Sequence, residues 1–105
     1  MIILQKFKFL TSPSDYYNAE IGQTKSGYSA AISVTTDKYK FRELGDFKSP
    51  ELAFVAMVKE CLVICSDSQQ KLVSLQNDDT HTNYICVKTQ RKILDELCPY
   101  VAIDP

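Results

Sequence analysis

The chain predicts an α+β fold in a single domain spanning residues 1–105: a mostly antiparallel sheet with two helices packed on one face, in the approximate order βββαββα. Three observations carry this. Residues 2–10 and 28–42 alternate apolar and polar side chains with the two-residue period of strands. The stretch 52–65, LAFVAMVKECLVIC, has twelve apolar residues out of fourteen and the length of a helix. A shorter amphipathic stretch follows from Thr89, with Ile93, Leu94, Leu97 and Cys98 on one side. A chain of 105 residues supports one core and leaves no room for a separate cofactor domain.

The elements follow in order. In the first strand, Phe7 and Phe9 fall on one side and Lys6 and Lys8 on the other. The cluster TSPS at 11–14 breaks it, and residues 15–23 leave strand and loop both open. Lys25-Ser26-Gly27 is a turn signal. Tyr28, Ala30, Ile32 and Val34 then alternate with Ser29, Ala31, Ser33 and Thr35, and Tyr39 and Phe41 alternate with Lys38, Lys40 and Arg42, which together read as a hairpin turning near Thr36-Asp37.

The first helix begins with Ser49 as its N-cap, Pro50 at the first helical position and Glu51 at the positive end of the dipole, and it runs to about Cys65 or Ser66. Being apolar nearly all the way round, it demands cover on every side, and self-association through Phe54 and Val58 would supply it. Lys71–Leu75 and Tyr84–Val87, on either side of the turn-rich QNDDTHT, read as a second hairpin, with 69–76 also open to helix. The last helix starts near Thr89, carries Arg91–Asp95 and Lys92–Glu96 as i,i+4 pairs, and stops at Pro99.

Composition excludes several function classes. The formal net charge is −1, divided as +2 over residues 1–48 and −3 over 49–105, without the plainly basic character of a nucleic-acid-binding domain. The first ten residues hold Gln5, Lys6 and Lys8 and do not read as a signal peptide, and the apolar helix falls short of a membrane span, so a cytoplasmic location is expected. Cys61, Cys65, Cys86 and Cys98 lie in apolar runs and read as buried, reduced thiols. His81 is the only histidine, which removes metal sites built on two imidazoles and leaves no sequence support for a Cys/His catalytic pair. The three glycines are isolated, so no phosphate loop exists, and neither an enzymatic activity, a metal nor a cofactor is expected.

The one polar constellation is the outer face of the first sheet. If Phe7, Phe9, Tyr39 and Phe41 point inward, then Lys6, Lys8, Lys38, Lys40 and Arg42 point outward together and offer a site for an anionic ligand or an acidic partner. The competing reading is that lysines on exposed strands keep sheet edges soluble.

Two resemblances add expectations. Residues 17–62 resemble a double-stranded-RNA-binding domain in their strand–strand–strand–helix order, and SPELAFVAMVKECL is similar to that family's SKKEAKxxAAxxAL signature at Ser49, Ala53, Ala56 and Leu62. Pro50, Glu51 and Phe54 stand where that family places phosphate-clamping lysines, so nucleic acid is the alternative partner and not the favoured one. The order of Ser12-Pro-Ser-Asp15, Tyr28-Ser-Ala30 and Ser49-Pro-Glu-Leu-Ala-Phe-Val-Ala-Met57 also resembles small phage α–β sandwich proteins. That similarity implies a phage- or mobile-element-type accessory protein: a non-catalytic, oligomeric binding protein that inhibits a host factor or sequesters a small anionic ligand.

Overall fold

The alternating pattern of the amino-terminal half becomes four consecutive antiparallel strands. In the computed structural model, which describes residues 2–34, 37–78 and 84–104, these are β1 (Ile2–Ser12), β2 (Asp15–Gln23), β3 (Tyr28–Val34) and β4 (Asp37–Phe47). Helix α1 (Pro50–Asp67), β5 (Lys71–Asn77), α2 (Val87–Leu97) and β6 (Ala102–Asp104) complete the chain. One six-stranded sheet results, in the order β4-β3-β2-β1-β5-β6, with every neighbouring pair antiparallel except β5 and β6. The fold class is α+β, and residues 15–23, undecided in the sequence, form a full strand whose Tyr17, Ala19 and Ile21 are buried.

Helix α1 carries the chain across the sheet from β4 at one edge to β5 on the far side of β1. Its start follows the sequence: the Ser49 hydroxyl accepts a hydrogen bond from Leu52 N at 3.2 Å, and Pro50 occupies the first turn. Ala53, Phe54, Met57, Val58, Cys61, Ile64 and Cys65 form one buried stripe, and Phe54 meets Phe7 edge to face with ring centroids 5.4 Å apart. The helix is thus covered on one side and not all round, with Leu52 and Val63 on the opposite side half exposed. Phe54 and Val58, expected at an oligomer interface, are instead fully enclosed by the core of their own chain.

The end of α1 is a hydrogen-bonded reversal. Gln69 adopts φ of 56°, Gln69 N donates to Ser66 O, and Gln70 N donates to Cys65 O at 2.7 Å, which closes the two bonds of a Schellman motif without the usual glycine. Glycine is required elsewhere. A Cβ at Gly27 would stand 2.5 Å from the Phe47 carbonyl oxygen, and Gly45, at φ of 110°, lies where the β3–β4 register slips between Ser29 and Ala31.

The segment read as a second hairpin folds differently. Tyr84–Val87 is not a strand: residues 84 and 85 form a bend, and Val87 opens α2. Instead of pairing back, the chain uses α2 as a crossover and returns as β6, parallel to β5, with Leu75 opposite Ile103. Arg91 secures the return by bonding Asp95 at 2.9 Å and donating to the carbonyls of Val101 at 2.6 Å and Pro99 at 3.3 Å. The predicted turn at 79–83, including His81, lies outside the described residues. None of the described helices is long and apolar enough to cross a membrane.

Candidate functional site on the outer face of the sheet

The sheet's inner face is packed by α1, so its chemistry lies on the other side. There β1 presents Lys6 and Lys8, and their register partners on β2 are Glu20 and Asn18. The outward residues of β3 are short: Ser29, Ala31 and Ser33. Beyond them, β4 raises Tyr39 and Phe41, and on the other flank stand Gln76 of β5 and Asp78 just past its end. Low residues between taller walls make a trough of about 570 Å3, lined by Lys6, Lys8, Asn18, Glu20, Tyr39 and Phe41 together with Gln76 and Asp78.

The two ends of this trough differ in chemistry. At one end, Lys8 lies over the Tyr16 ring, 4.8 Å from its centroid, which holds its ammonium near the sheet surface. The cross-strand partner of Lys6 is Glu20, whereas that of Lys8 is the neutral Asn18. At the other end Tyr39 is 84% exposed and Phe41 36%, an unusual amount of aromatic surface to leave in water. Asn18 is fixed from both sides: its Nδ2 donates to the Lys38 carbonyl at 3.1 Å, and its backbone N donates to Ser33 Oγ at 2.9 Å.

The five cations expected on one surface are divided. Lys6 and Lys8 line the trough as expected, whereas β4 runs in the opposite phase. Ile32, which faces the core, sits opposite Arg42, so Arg42 points toward α1 and bonds Glu60 at 2.7 Å, while Tyr39 and Phe41 turn outward. The physical reason is position. At the sheet edge the inner side of β4 meets the polar flank of α1, where an arginine finds a carboxylate, and the irregular pairing between Ser33 and Val34 lets the strand adopt that phase. Lys40 is exposed on the edge strand.

Lys38 is removed from the site by a cluster of its own. Its Nζ lies 2.8 Å from Asp15 Oδ1 and 4.3 Å from the Tyr17 ring centroid, so the carboxylate and the two tyrosine rings beside it hold it in place. Asp15 also accepts from Tyr16 N at 2.8 Å and from Gln70 Nε2 at 3.0 Å, and Gln70 Oε1 in turn accepts the Tyr17 hydroxyl. The Lys38 ammonium, ahead of the hydrogen bonds from Gln70 and Tyr16, holds the Asp15 carboxyl below the usual carboxylate range despite some burial. Burial pushes the Tyr17 phenol up.

All four cysteines are free thiols. Cys61 and Cys65 lie one turn apart on the buried side of α1; the neighbouring Cys65 thiol, followed by burial, pushes the Cys61 thiol up. Burial alone also raises Cys98. Cys86 departs from the expectation of a buried thiol: it is exposed at the N-cap of α2, and its contact with Thr89 Oγ1 at 3.3 Å lowers its pKa. The sequence placed it in an apolar run, but Ile85 takes the buried place and turns Cys86 outward. Among the described residues, no group of three or more histidine, cysteine or acidic side chains gathers to hold a metal ion.

Sequence reasoning missed Tyr39 and Phe41 as site residues because it assigned them to the core; the charged residues on both sides of them mark an edge strand on which either phase is soluble. Comparison with protein-family models, with curated proteins and with solved structures finds no match to this chain.

Proposed function

We propose that this is a non-catalytic binding protein whose trough takes a small anion bearing a flat ring, a nucleoside monophosphate being the representative chemistry. One observation carries the reading: a lysine pair and two exposed aromatic rings face the same trough of about 570 Å3, a volume within the range of small-molecule sites. The anionic group sits at Lys8, the ring lies against Tyr39 and Phe41, and Asn18, Gln76, Glu20 and Asp78 offer acceptors and donors to its edge substituents. A long nucleic acid fits this surface less well, because Glu20 and Asp78 lie within the trough and the chain's net charge is −1. Sequestration of such a ligand is the role that agrees with the accessory-protein resemblance.

Native mass spectrometry of freshly purified protein tests this. The expected spectrum shows an added mass in the range of a nucleotide that is lost in Lys6→Glu with Lys8→Glu. Failure to retain or take up any nucleoside monophosphate, with a homopolymeric single-stranded RNA bound instead, overturns it in favour of the RNA-binding alternative.

A further inference from the structure

The two edges of the sheet are unequal. One ends in β6, three residues long, and the other in β4, eleven residues long, whose outer backbone edge has no strand beside it among the described residues. Proteins blunt a long edge by shortening it, covering it or giving it lysines and bulges, because its unpaired N–H and C=O groups template a further strand; β4 is not short, and it carries Lys40 and two irregularities in its pairing with β3. On β4 eight of the eleven residues are exposed.

Its charges are polarised along its length. Asp37, Lys38, Lys40 and Arg42 give residues 37–42 a formal +2, with Lys38 paired to Asp15 and Arg42 to Glu60 and Lys40 left exposed, and Glu43 and Asp46 give residues 43–47 a formal −2. A second β4 laid antiparallel sets the positive half of each strand against the negative half of the other, while a parallel approach sets like against like. Such a two-fold contact is self-complementary, as a symmetric dimer requires.

From these two features we infer that the protein forms a homodimer by antiparallel pairing of β4 with β4 of a second copy, which joins the two sheets into one. A two-fold axis perpendicular to the sheet keeps both outer faces on the same side, so the two troughs meet with Tyr39 and Phe41 of each copy flanking the seam. The interface expected of Phe54 and Val58 is replaced by one made of backbone hydrogen bonds and strand charges. Lys40, Arg42, Glu43 and Asp46 do not line the trough, so this pairing and ligand binding are separately testable.

The test uses two charge-uniform variants. Lys40→Glu with Arg42→Glu makes both halves of β4 −2, and Glu43→Lys with Asp46→Lys makes both +2. In sedimentation at about 100 µM, a concentration at which micromolar association is well populated, the wild-type chain is expected to run at twice its 11.9 kDa monomer mass. Each variant is expected to dissociate at least tenfold more readily, and an equimolar mixture of the two to recover the dimer, with a heterodimer seen by native mass spectrometry. The recovery separates lost pairing from lost folding. A monomeric wild-type chain at that concentration, or a dimer that neither variant weakens, overturns the inference.

Discussion

Gln5 and Gln90, at opposite ends of the chain, donate to the same backbone carbonyl, that of Ile85, at 3.2 and 2.8 Å. Gln5 Oε1 also accepts Ile85 N at 2.8 Å, and both glutamines donate to Asn77 Oδ1, whose amide returns a bond to Gln90 at 3.0 Å. Two buried amides, held in turn by a third at Asn77, therefore do for Ile85 what a partner strand does elsewhere: they satisfy its N–H and C=O, so the segment before α2 is pinned without joining the sheet.

Replacing Gln5 by Ala removes its bonds to Asn77 and Ile85 and strands the Ile85 N–H in the core, while the Ile85 carbonyl keeps its bond from Gln90. The expected loss is about 1–3 kcal/mol for each buried group left unpaired. Denaturant unfolding should register it, and hydrogen exchange at Ile85 should accelerate beyond the global change. An unchanged midpoint would show that water replaces the amide.

This network also shows where sequence reading stops. The strand periods at Phe7, Phe9, Ala30 and Ile32 and the cap at Ser49 are local, and the structure follows them. The run Tyr84–Val87 has the composition of a strand, yet its fate is set by Gln5, Asn77 and Gln90, partners that are distant in the chain or polar and that no periodicity reveals. In the same way Lys6 and Lys8 were legible as outward residues because Phe7 and Phe9 fix their phase. The phase of β4 depends on Arg42 meeting Glu60, a tertiary contact, and so alternation alone puts Tyr39 and Phe41 on the wrong face.

Asp15 should make stability depend on pH. Its folded pKa is depressed, chiefly by Lys38, so its contribution is fully present above the unfolded carboxylate pKa and is lost as pH falls through the lower folded value. Asp15→Asn should cost about 1.5–3 kcal/mol near neutrality, the range for hydrogen bonds to charged groups, and its melting temperature should converge with that of the wild type as the pH is lowered below the carboxylate range. A gap that persists in acid would assign the loss to packing.

Thiol reactivity should separate the cysteines. Cys86, exposed and lowered by Thr89, is expected to alkylate in the native state, while Cys61, Cys65 and Cys98 react only on unfolding. In Thr89→Val the Cys86 reaction should move to higher pH. Peptide mapping after brief iodoacetamide treatment reads both outcomes, and native labelling at Cys61 or Cys65 would contradict the packing of α1.

The α1 reversal holds a non-glycine residue in the left-handed region. Gln69→Gly removes a cost of about 1–2 kcal/mol for that conformation and adds about 0.5–1 kcal/mol of chain entropy, so a net gain of up to about 1.5 kcal/mol is expected in thermal unfolding. A loss would mean that the Gln69 side chain stabilises the reversal.

The trough itself is tested most directly by calorimetric titration with adenosine 5′-monophosphate, with inorganic phosphate as the ring-free control. Adenosine monophosphate should bind the wild-type chain more tightly than phosphate does. Lys8→Glu should abolish both interactions, whereas Tyr39→Ala should weaken only that of the nucleotide, by about 0.5–1.5 kcal/mol if one ring contact is lost. Equal binding of nucleotide and phosphate, or nucleotide affinity unchanged in both variants, would contradict a ring-and-anion site on the outer face of the sheet.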